Sequence, residues 1–505
     1  MRRPTGTLIT LALALAIVGG AATATPAGAA TPSEPDRVTW RIKIPLDYYF
    51  HTPGVGPDGT IYVPNLFGRT QAVAPNGSTR WIFPAGGSGG PISVAGDGTI
   101  VVGGGGPGAV GGTDGIFAIN PNGTLKWAFT ATGDYLLAGP SIGPDGNVYA
   151  VTDSTGIGFF SLTPAGQLRF SKGQFTDHGA HGQRLAFGPD RVYFGFDMQG
   201  LQLGTFFAYD FAGNLRWTAA SPDDPPQPDA GPNGNVVFRA FPSNQGKSLF
   251  SYSPAGQRVF SFYEFPGNVQ DAPDVGPDNV TYSVRNLGTM LALNPDGTVK
   301  WRHVDDGIMF EPVVDPTNRV IFTGGRVTYG EPGFFLGLST AGQPLWKVPL
   351  PTEPGFGEYG QLVPVSRPVF SPDGTTAYAI TDVAGDGNTP YPELYAYLYA
   401  IPTGATGTTT STNLAAPTNL TGRAVVGGRI NLTWTDNSTG ETASRIQRCI
   451  GRTCTSYANL AVVGPNVTSW SDSGLTTGQY YRYRVRAEGS TGSSAWSNKV
   501  RVRAR

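Results

Sequence analysis

Two tight-turn motifs alternate along most of this chain, and this repeat constrains its fold more than any other feature. Each motif occurs eight times. The first, with forms such as GPDG and GPNG, lies at 56–59, 95–98, 143–146, 188–191, 231–234, 276–279, 315–318 and 371–374. The second, with forms such as NPNG and SPAG, lies at 74–77, 120–123, 163–166, 210–213, 253–256, 294–297, 339–342 and 401–404. Proline fixes φ at the second turn position and Asn, Asp or Gly accept the positive φ that follows, so both motifs predict turns between strands.

An aromatic residue follows the second turn at a fixed distance in seven of the eight units. These residues are Trp81, Trp127, Phe170, Trp217, Phe260, Trp301 and Trp346. Short runs such as TIYVPN and GIFAIN flank the turns, which predicts four strands per unit. Successive aromatics lie 41 to 47 residues apart, the size of a β-propeller blade. The repeat predicts an all-β fold with an eight-bladed propeller over 37–404, its aromatics packed between blades.

The eighth unit lacks its aromatic strand after the turn at 401–404. The missing strand is present at the other end of the chain, in RVTWRIKI at 37–44, where Trp40 has the expected setting. We therefore predict that this N-terminal strand pairs with the strand at 394–400. That pairing completes the last blade and leaves the ring without a free edge.

The pattern of strand, PDG-x-x-Y, strand and NP-x-G-x-x-x-W resembles the repeat of the quinoproteins, the pyrroloquinoline-quinone-dependent dehydrogenase propellers and their non-enzymatic relatives. The resemblance covers 37–404 and implies the propeller fold. Residues 37–404 contain no cysteine and no C-x-x-C-H haem motif. The disulfide that lies beside the cofactor in that family is therefore missing, and a quinone-dependent dehydrogenase is the least favoured activity.

The first thirty residues have the composition of a secretory signal peptide. Arg2 and Arg3 precede a short apolar run at 8–18, and small residues suited to cleavage follow. The run is too short to span a bilayer, and no second apolar stretch of membrane length exists. We expect a secreted, extracellular bacterial protein, and a monomer.

A Thr-rich linker at 405–414 precedes a second module at 415–505. The segment LTTGQYYRYRVRAEGSTGSSAWSN is similar to the end of a fibronectin type III domain. The resemblance implies an immunoglobulin-like β-sandwich whose core includes Trp434, Leu475, Tyr481, Val485 and Ala487. Both cysteines of the chain, Cys449 and Cys454, lie in this module, and their spacing in a secreted protein predicts a hairpin disulfide.

The net charge of −1 conceals an asymmetry between the two modules. Residues 415–505 contain twelve Lys and Arg but four Asp and Glu, a net of +8, while residues 31–414 carry −11. Arg482, Arg484 and Arg486 alternate along one predicted strand, and Arg501, Arg503 and Arg505 along another, so each set shares a face. The two sets are either a stripe for anionic wall polymers or a solvated sheet face. Secretion disfavours a nucleic-acid partner.

The connections between blades hold all four histidines of the chain and many acids and tyrosines. We expect these connections to rim the central mouth and to bind a ligand, although polar loops alone account for much of this composition. The candidate ligand-binding residues are His51, Asp134, Tyr135, Asp177, His178, His181, Asp224, Asp271, His303, Asp305, Asp306, Glu358 and Tyr359. His178 and His181 alone are too few for a zinc site.

No cofactor is expected, although Asp382, Asp386 and Asn388 could offer oxygen ligands to calcium. The glycine run at 103–115 lacks the Lys-Ser/Thr of a phosphate-binding loop. We predict a non-catalytic binding or scaffold protein that engages an extracellular polysaccharide, a cell-wall polymer or a protein, with no catalytic residue assigned. The alternative is a polysaccharide-active enzyme, a glycosidase or lyase, because such propellers also host these activities.

Overall fold

The computed structural model describes the chain in segments. These are residues 34–45, 52–65, 69–85, 90–104, 115–130, 136–152, 158–173, 184–196, 204–221, 227–240, 248–263, 272–285, 288–305, 307–326, 331–352, 362–364, 366–383, 395–404, 414–438, 441, 443–463, 467–489 and 492–505. The expected signal peptide at 1–30 lies outside the described residues.

Up to residue 404, the described segments form eight antiparallel sheets, numbered here in chain order. Sheet 1 contains β2 (Gly54–Val55), β3 (Ile61–Asn65), β4 (Arg69–Val73) and β5 (Thr79–Phe83), and sheet 2 contains β6 (Ser93–Val94), β7 (Ile100–Gly104), β8 (Gly115–Ile119) and β9 (Leu125–Thr130). Sheet 3 contains β10 (Leu136–Ile142), β11 (Val148–Thr152), β12 (Phe159–Leu162) and β13 (Leu168–Lys172), and sheet 4 contains β14 (Ala186–Phe187), β15 (Arg191–Phe196), β16 (Gly204–Asp210) and β17 (Leu215–Ser221). Within each sheet the strands pair in chain order.

Sheets 5 to 7 follow the same order, and sheet 8 adds the N-terminal strand. Sheet 5 contains β18 (Pro228–Ala230), β19 (Val236–Ala240), β20 (Ser248–Tyr252) and β21 (Arg258–Phe262), and sheet 6 contains β22 (Asp274–Val275), β23 (Thr281–Arg285), β24 (Thr289–Leu293) and β25 (Val299–Val304). Sheet 7 contains β26 (Ile308–Met309), β27 (Val313–Val314), β28 (Val320–Arg326), β29 (Gly333–Ser339) and β30 (Pro344–Pro349). Sheet 8 contains β31 (Leu362–Pro364), β32 (Val369–Phe370), β33 (Thr376–Val383), β34 (Tyr395–Pro402) and β1 (Trp40–Pro45).

The N-terminal strand occupies the outer edge of sheet 8, so the predicted pairing with the strand near 394–400 is confirmed. β1 is antiparallel to β34, with Trp40 opposite Ala400 and Pro45 opposite Tyr395. The strand begins three residues later than predicted. A short 3-10 helix at Pro35–Arg37 precedes it, because Arg37 turns aside to bind Glu34 and the carbonyl of Pro402.

Eight clusters of buried apolar side chains lie between neighbouring sheets. Each cluster joins one sheet to the next, and the last joins sheet 8 to sheet 1 through residues such as Ile44, Ile61 and Leu398. Middle strands such as β7 and β11 are buried on both faces, whereas outer strands such as β9 and β13 are largely exposed. The core is therefore distributed around a ring rather than collected at one centre.

The repeated aromatic residues connect each sheet to the next one. Among the described residues, six Trp indole N–H groups donate to a backbone carbonyl in the second turn of the following sheet, at 2.7 to 3.0 Å. The pairs are Trp40 to Pro75, Trp81 to Pro121, Trp127 to Pro164, Trp217 to Pro254, Trp301 to Thr340 and Trp346 to Thr403. The prediction that these aromatics pack between sheets is confirmed, and Trp40 carries the sequence of contacts from sheet 8 back to sheet 1.

The turn glycine is required at this contact for two reasons. Gly123 has φ of 86°, which L side chains rarely adopt, and a Cβ there would lie 2.8 Å from the Trp81 indole. Gly77 has the same φ and faces Trp40 in the same way. The motif recurs because each turn must present backbone without a side chain to the aromatic ring of the preceding sheet.

Each aromatic also lies opposite a small residue on the neighbouring strand of its own sheet. Across all eight sheets that partner is Ala, Ser or Gly: Ala72, Ala118, Ser161, Ala208, Ser251, Ala292, Gly337 and Ala400. A bulge follows the pair in sheets 1 to 7. A bulge re-aims side chains along a strand, and here it leads directly into the turn.

Phe170 and Phe260 depart from the tryptophan pattern, and so does the acceptor in sheet 8. Phe170 cannot donate a hydrogen bond, and Arg169 beside it donates instead to the carbonyl of Phe211 at 3.0 Å. In sheet 8 the acceptor is Thr403, one residue later than the predicted turn at 401–404 implied. There the Arg37 guanidinium lies over the Trp346 ring, 5.1 Å from its centroid.

Residues 414–505 form two further sheets. One contains β35 (Thr418–Val425), β36 (Arg429–Thr435) and β39 (Ser469–Asp472); the other contains β37 (Ala443–Ile450), β38 (Ala458–Val463), β40 (Tyr480–Gly489), β41 (Gly492–Ser493) and β42 (Val500–Arg503). Buried residues of both sheets share one core. The predicted disulfide between Cys449 and Cys454 is present and confirmed. None of the helices in the described part of the chain has the length and apolar character of a membrane span.

The contact that returns to sheet 1 gives a direct prediction at Trp40. Replacing Trp40 by Phe removes the hydrogen bond to Pro75 but leaves a ring over Gly77, and should lower the free energy of unfolding by about 1 kcal/mol. Replacing it by Ala also removes the ring and should cost about 3 kcal/mol. Urea unfolding followed by circular dichroism measures both. Ile82→Ala, at a side chain that is 50% exposed on the outer strand of sheet 1, is the control; an equal effect of Ile82→Ala and Trp40→Ala would contradict the closing contact.

Candidate functional site

Most of the ligand-binding candidates predicted from the sequence lie outside the described residues. These are His51, Asp134, Tyr135, Asp177, His178, His181, Asp224, Asp271, Asp306, Glu358 and Tyr359. For them the binding role stays a prediction. His303 and Asp305 are described, and both lie at the outer edge of sheet 6.

The environment of His303 and Asp305 is structural in character. His303 is on β25, where burial lowers its pKa, and within the described part of the chain its buried Nε2 has no hydrogen-bond partner. The Asp305 carboxylate accepts a hydrogen bond from Lys347 Nζ at 2.7 Å. Lys347 is on the outer strand of sheet 7 and its ammonium lies 3.8 Å from the centroid of the Phe334 ring. This ion pair therefore joins two neighbouring outer strands.

A different group of charged residues meets at the inner side of the ring. It consists of Arg184, Asp229, Asp274, Glu311 and Arg367, which we call the charged centre. Each lies in or just before a short inner strand of one of sheets 4 to 8: Arg184 precedes β14, Asp229 and Asp274 lie in β18 and β22, Glu311 precedes β27 and Arg367 precedes β32. These strands of sheets 4 to 7 contact one another in turn. The Arg and Glu side chains are only 17 to 19% exposed.

Arg184 connects four sheets through its guanidinium. It donates to Glu311 Oε1 at 2.8 Å, to the carbonyl of Pro228 at 3.1 Å and to the carbonyl of Pro273 at 2.7 Å. These partners belong to sheets 7, 5 and 6. Burial opposes the charge of Arg184, but Glu311, Asp229 and Asp274 more than offset it and raise the pKa of Arg184 further.

Arg367 continues the network into sheet 8. Its guanidinium donates to Glu311 Oε1 at 3.1 Å and to Asp274 Oδ1. Asp274 also accepts the backbone N–H of Val314 at 2.8 Å, and Asp229 accepts that of Val275 at 2.7 Å. Each carboxylate thus ties its own first strand to the next one around the ring.

The carboxyl groups of Asp229 and Asp274 both have raised pKa values. Burial raises the pKa of both, and the charge of Asp229 raises that of Asp274 further. Like charges held close together favour a single shared proton over two ionised carboxyl groups, so we expect Asp229 and Asp274 to behave as a proton-sharing pair.

Sequence reasoning missed the charged centre, although a signal was present. Asp229 and Asp274 occur in QPDAG at 227–231 and APDVG at 272–276, directly before first-series turns. The matching positions of the other units are uncharged: Gly54, Ser93, Ser141, Ala186, Val313 and Val369. An acid in a buried two-residue strand is costly unless it is paired, so these two could have been selected.

The face that carries the tight turns is largely occupied by its own contacts. Aspartates of the first turn form ion pairs with the basic residue just before the repeated aromatic, in Asp58–Arg80, Asp97–Lys126, Asp145–Arg169 and Asp278–Lys300. Such exposed pairs contribute little energy each. They nevertheless engage the charges of this face within the protein.

Metal ligation has little support among the described residues. No group of three or more His, Cys, Asp or Glu side chains in the described segments could hold a metal ion. Of the three calcium candidates, Asp382 lies on β33, while Asp386 and Asn388 fall outside those segments.

Comparison with solved structures identifies the fold of the larger module. The chain is similar to the C-terminal WD40 domain of Sif2, with 10% identity, a TM-score of 0.50, and 72% of this chain and 97% of that one covered. It also matches the dihydro-heme d1 dehydrogenase NirN, with 14% identity, a TM-score of 0.44, and 64% of this chain and 75% of that one covered. A third match is an Fn3-like protein from Clostridium thermocellum, with 25% identity, a TM-score of 0.16, and 18% of this chain and 93% of that one covered. No family model and no curated protein sequence matches. The first likeness, with the repeated four-stranded sheets, shows a β-propeller fold.

The charged centre predicts an unusual dependence of stability on pH. Because the pKa of Asp274 is raised on folding, the folded state keeps a proton that the unfolded state releases, and stability falls as pH rises from the ordinary aspartate range, about 4, toward neutrality. Asp229→Asn removes one cause of the raised pKa. The stability of this variant relative to wild type should therefore increase with pH in urea unfolding. Asp278→Asn, on an exposed turn, is the control; parallel curves for wild type and Asp229→Asn would contradict the proton-sharing pair.

Proposed function

We propose that the chain is a secreted, non-catalytic binding protein. In this proposal an eight-bladed propeller presents one loop face to an extracellular polysaccharide or cell-wall polymer, and a fibronectin type III module accompanies it. The leader at 1–30 supports secretion.

Eight blades are supported by the number and linkage of the described sheets. Eight sheets, eight inter-sheet cores and the contact from Trp40 to Pro75 fit a ring in which each sheet is one blade. β1 then serves as the outer strand of the eighth blade. A closed ring also removes the edge strands that would otherwise promote aggregation.

The fibronectin type III assignment of 415–505 is supported by its strand grouping and its core. Three strands face a second sheet across a shared core that contains Trp434, Leu475, Tyr481 and Val485, with Ala487 also buried. Tyr481 accepts the backbone N–H of Thr476 at 3.0 Å. A tyrosine hydroxyl bonded a few residues upstream is typical of immunoglobulin-like sandwiches.

The observation that carries the non-catalytic proposal is the state of the charged centre. Asp229 and Asp274 are two carboxylates of this centre, and Arg367 donates a hydrogen bond to Asp274. Backbone N–H groups hold both carboxylates. Groups fixed in this way stabilise the ring and are not available to a substrate.

The binding face follows from the same reasoning. The tight turns present glycine backbone to the aromatics and engage their aspartates in ion pairs, so they offer little freedom for recognition. The sequence predicts that the second-to-third-strand loops and the inter-blade connections, which vary in length and hold the predicted ligand-binding residues, lie on the opposite face.

A polysaccharide-active enzyme is the second candidate. The raised pKa of Asp274 favours it, because a raised carboxyl pKa is typical of a general acid. A quinone-dependent dehydrogenase is third, since residues 37–404 lack cysteine.

Binding and hydrolysis can be tested on the same samples. The purified protein should bind a subset of polysaccharides on a glycan array or in a wall-polymer pull-down, and it should release no new reducing ends from them. Asp274→Asn should leave binding unchanged, with Asp278→Asn as the matched control. Release of reducing ends that Asp274→Asn abolishes and Asp278→Asn retains would overturn the non-catalytic proposal in favour of the enzyme.

A further inference from the structure

Two pairs of arginines face each other across strands on the outer side of the tail sheet, and only one pair is neutralised. Arg445 lies opposite Arg486, and Arg482 lies opposite Arg501. Like charges directly opposite in a sheet are destabilising. The first pair shares Glu488, whose Oε1 lies 2.6 Å from Arg445 Nε and 2.6 Å from Arg486 Nη2.

The second pair has no such partner. Arg482 donates to the carbonyl of Cys454 at 2.7 Å, and the Arg501 guanidinium lies 5.8 Å from the centroid of the Tyr480 ring. Neither forms an ion pair with an Asp or Glu side chain of the described residues. The same sheet face thus provides an internal comparison between a compensated and an uncompensated arginine pair.

The residues of the uncompensated pair line two clefts that share Arg501. A cleft of about 570 Å³ is lined by Arg452, Thr453, Arg482, Lys499, Val500 and Arg501. A second, of about 760 Å³, includes Arg423, Arg501, Arg503 and Arg505 in its lining. Neither lining contains an Asp or Glu side chain. Seven cationic side chains therefore line the two clefts without an ion pair to a described Asp or Glu side chain.

Tyr480 holds several of these cations in place. The guanidinium carbons of Arg452, Arg501 and Arg503 lie 5.7 to 5.9 Å from its ring centroid, within the range of cation–π attraction. Arg503 is further fixed by donating to the carbonyl of Gly478 at 3.0 Å. A guanidinium that lies against an aromatic ring keeps the N–H groups at its edge available. Those N–H groups can donate hydrogen bonds to carboxylate and phosphate oxygens.

We propose that this arginine cleft, centred on Arg482 and Arg501, is a binding site for an acidic extracellular glycan polymer. Successive outward positions of β42 are about 7 Å apart, so the cleft offers a row of charges to a polymer that carries one anionic group per repeat. The expected secretion of the protein makes wall and matrix polymers its surroundings. The inference deepens the proposed binding function by assigning a ligand chemistry to the tail.

The test measures binding of the purified full chain to two polymers, polygalacturonate for carboxylates and poly(glycerol phosphate) for phosphodiesters, with neutral dextran and duplex DNA as comparisons. Arg482→Gln with Arg501→Gln should weaken binding of at least one acidic polymer by about tenfold or more, the loss expected from one charge-assisted hydrogen bond. Arg445→Gln with Arg486→Gln removes the same charge from the same face and should change binding less than about threefold. Binding should weaken with added salt.

A second readout separates binding from folding. Without polymer, Arg482→Gln with Arg501→Gln should unfold at the same or a higher temperature than wild type, because a like-charge pair is removed. The acidic polymer should raise the unfolding temperature of wild type and not of this variant. Unchanged binding by this variant, an equal loss in the control variant, or DNA binding as tight as that of the acidic polymers would overturn the inference. In those cases, binding of neutral or wall polysaccharides would still support the proposed binding function. The proposed binding function itself would fail if the protein bound no polymer at all.

Discussion

An aromatic ring seated on a turn glycine is the contact on which the rest of the larger module depends. In seven of the eight contacts the aromatic ring lies over a turn glycine, and in every sheet it has a small residue beside it. In six contacts its indole N–H also donates to a carbonyl of the next turn. Every such contact joins one sheet to the next. The sheets therefore form a closed circle only when the last contact, from Trp40 of sheet 8, reaches sheet 1. The interface energy is therefore shared around the ring.

Because the turns are engaged in contacts within the protein, the surfaces available to a ligand lie elsewhere. The turn face is engaged by indoles and ion pairs, and the residues of the charged centre bind one another across sheets 4 to 8. A ligand is left with the opposite loops of the propeller and with the arginine cleft of the tail. The protein then has two surfaces of different character, and the binding proposal treats them as separate sites.

Sequence spacing predicted what local repetition controls: the turns, the strand order, the pairing of β1 with β34 and the disulfide. In the last unit the indole of Trp346 binds the third residue of the motif, Thr403, rather than the second, which the spacing did not predict. The charged centre was missed because Arg184 and Arg367 are far apart in sequence and meet only when the ring closes. Likewise, a sequence cannot reveal that Glu488 neutralises one arginine pair and not the other, because that depends on strand register.

Closure of the ring by the N-terminal strand can be tested by a cross-link in the observed register. Lys43 lies directly opposite Tyr397, so Lys43→Cys with Tyr397→Cys should form a disulfide spontaneously, detected by peptide mass spectrometry, and reduction should lower the unfolding temperature. Lys43→Cys with Leu398→Cys, whose side chains point to opposite faces, should remain reduced. A free thiol at position 43 in the first variant, or equal cross-linking in both, would contradict a ring closed by β1.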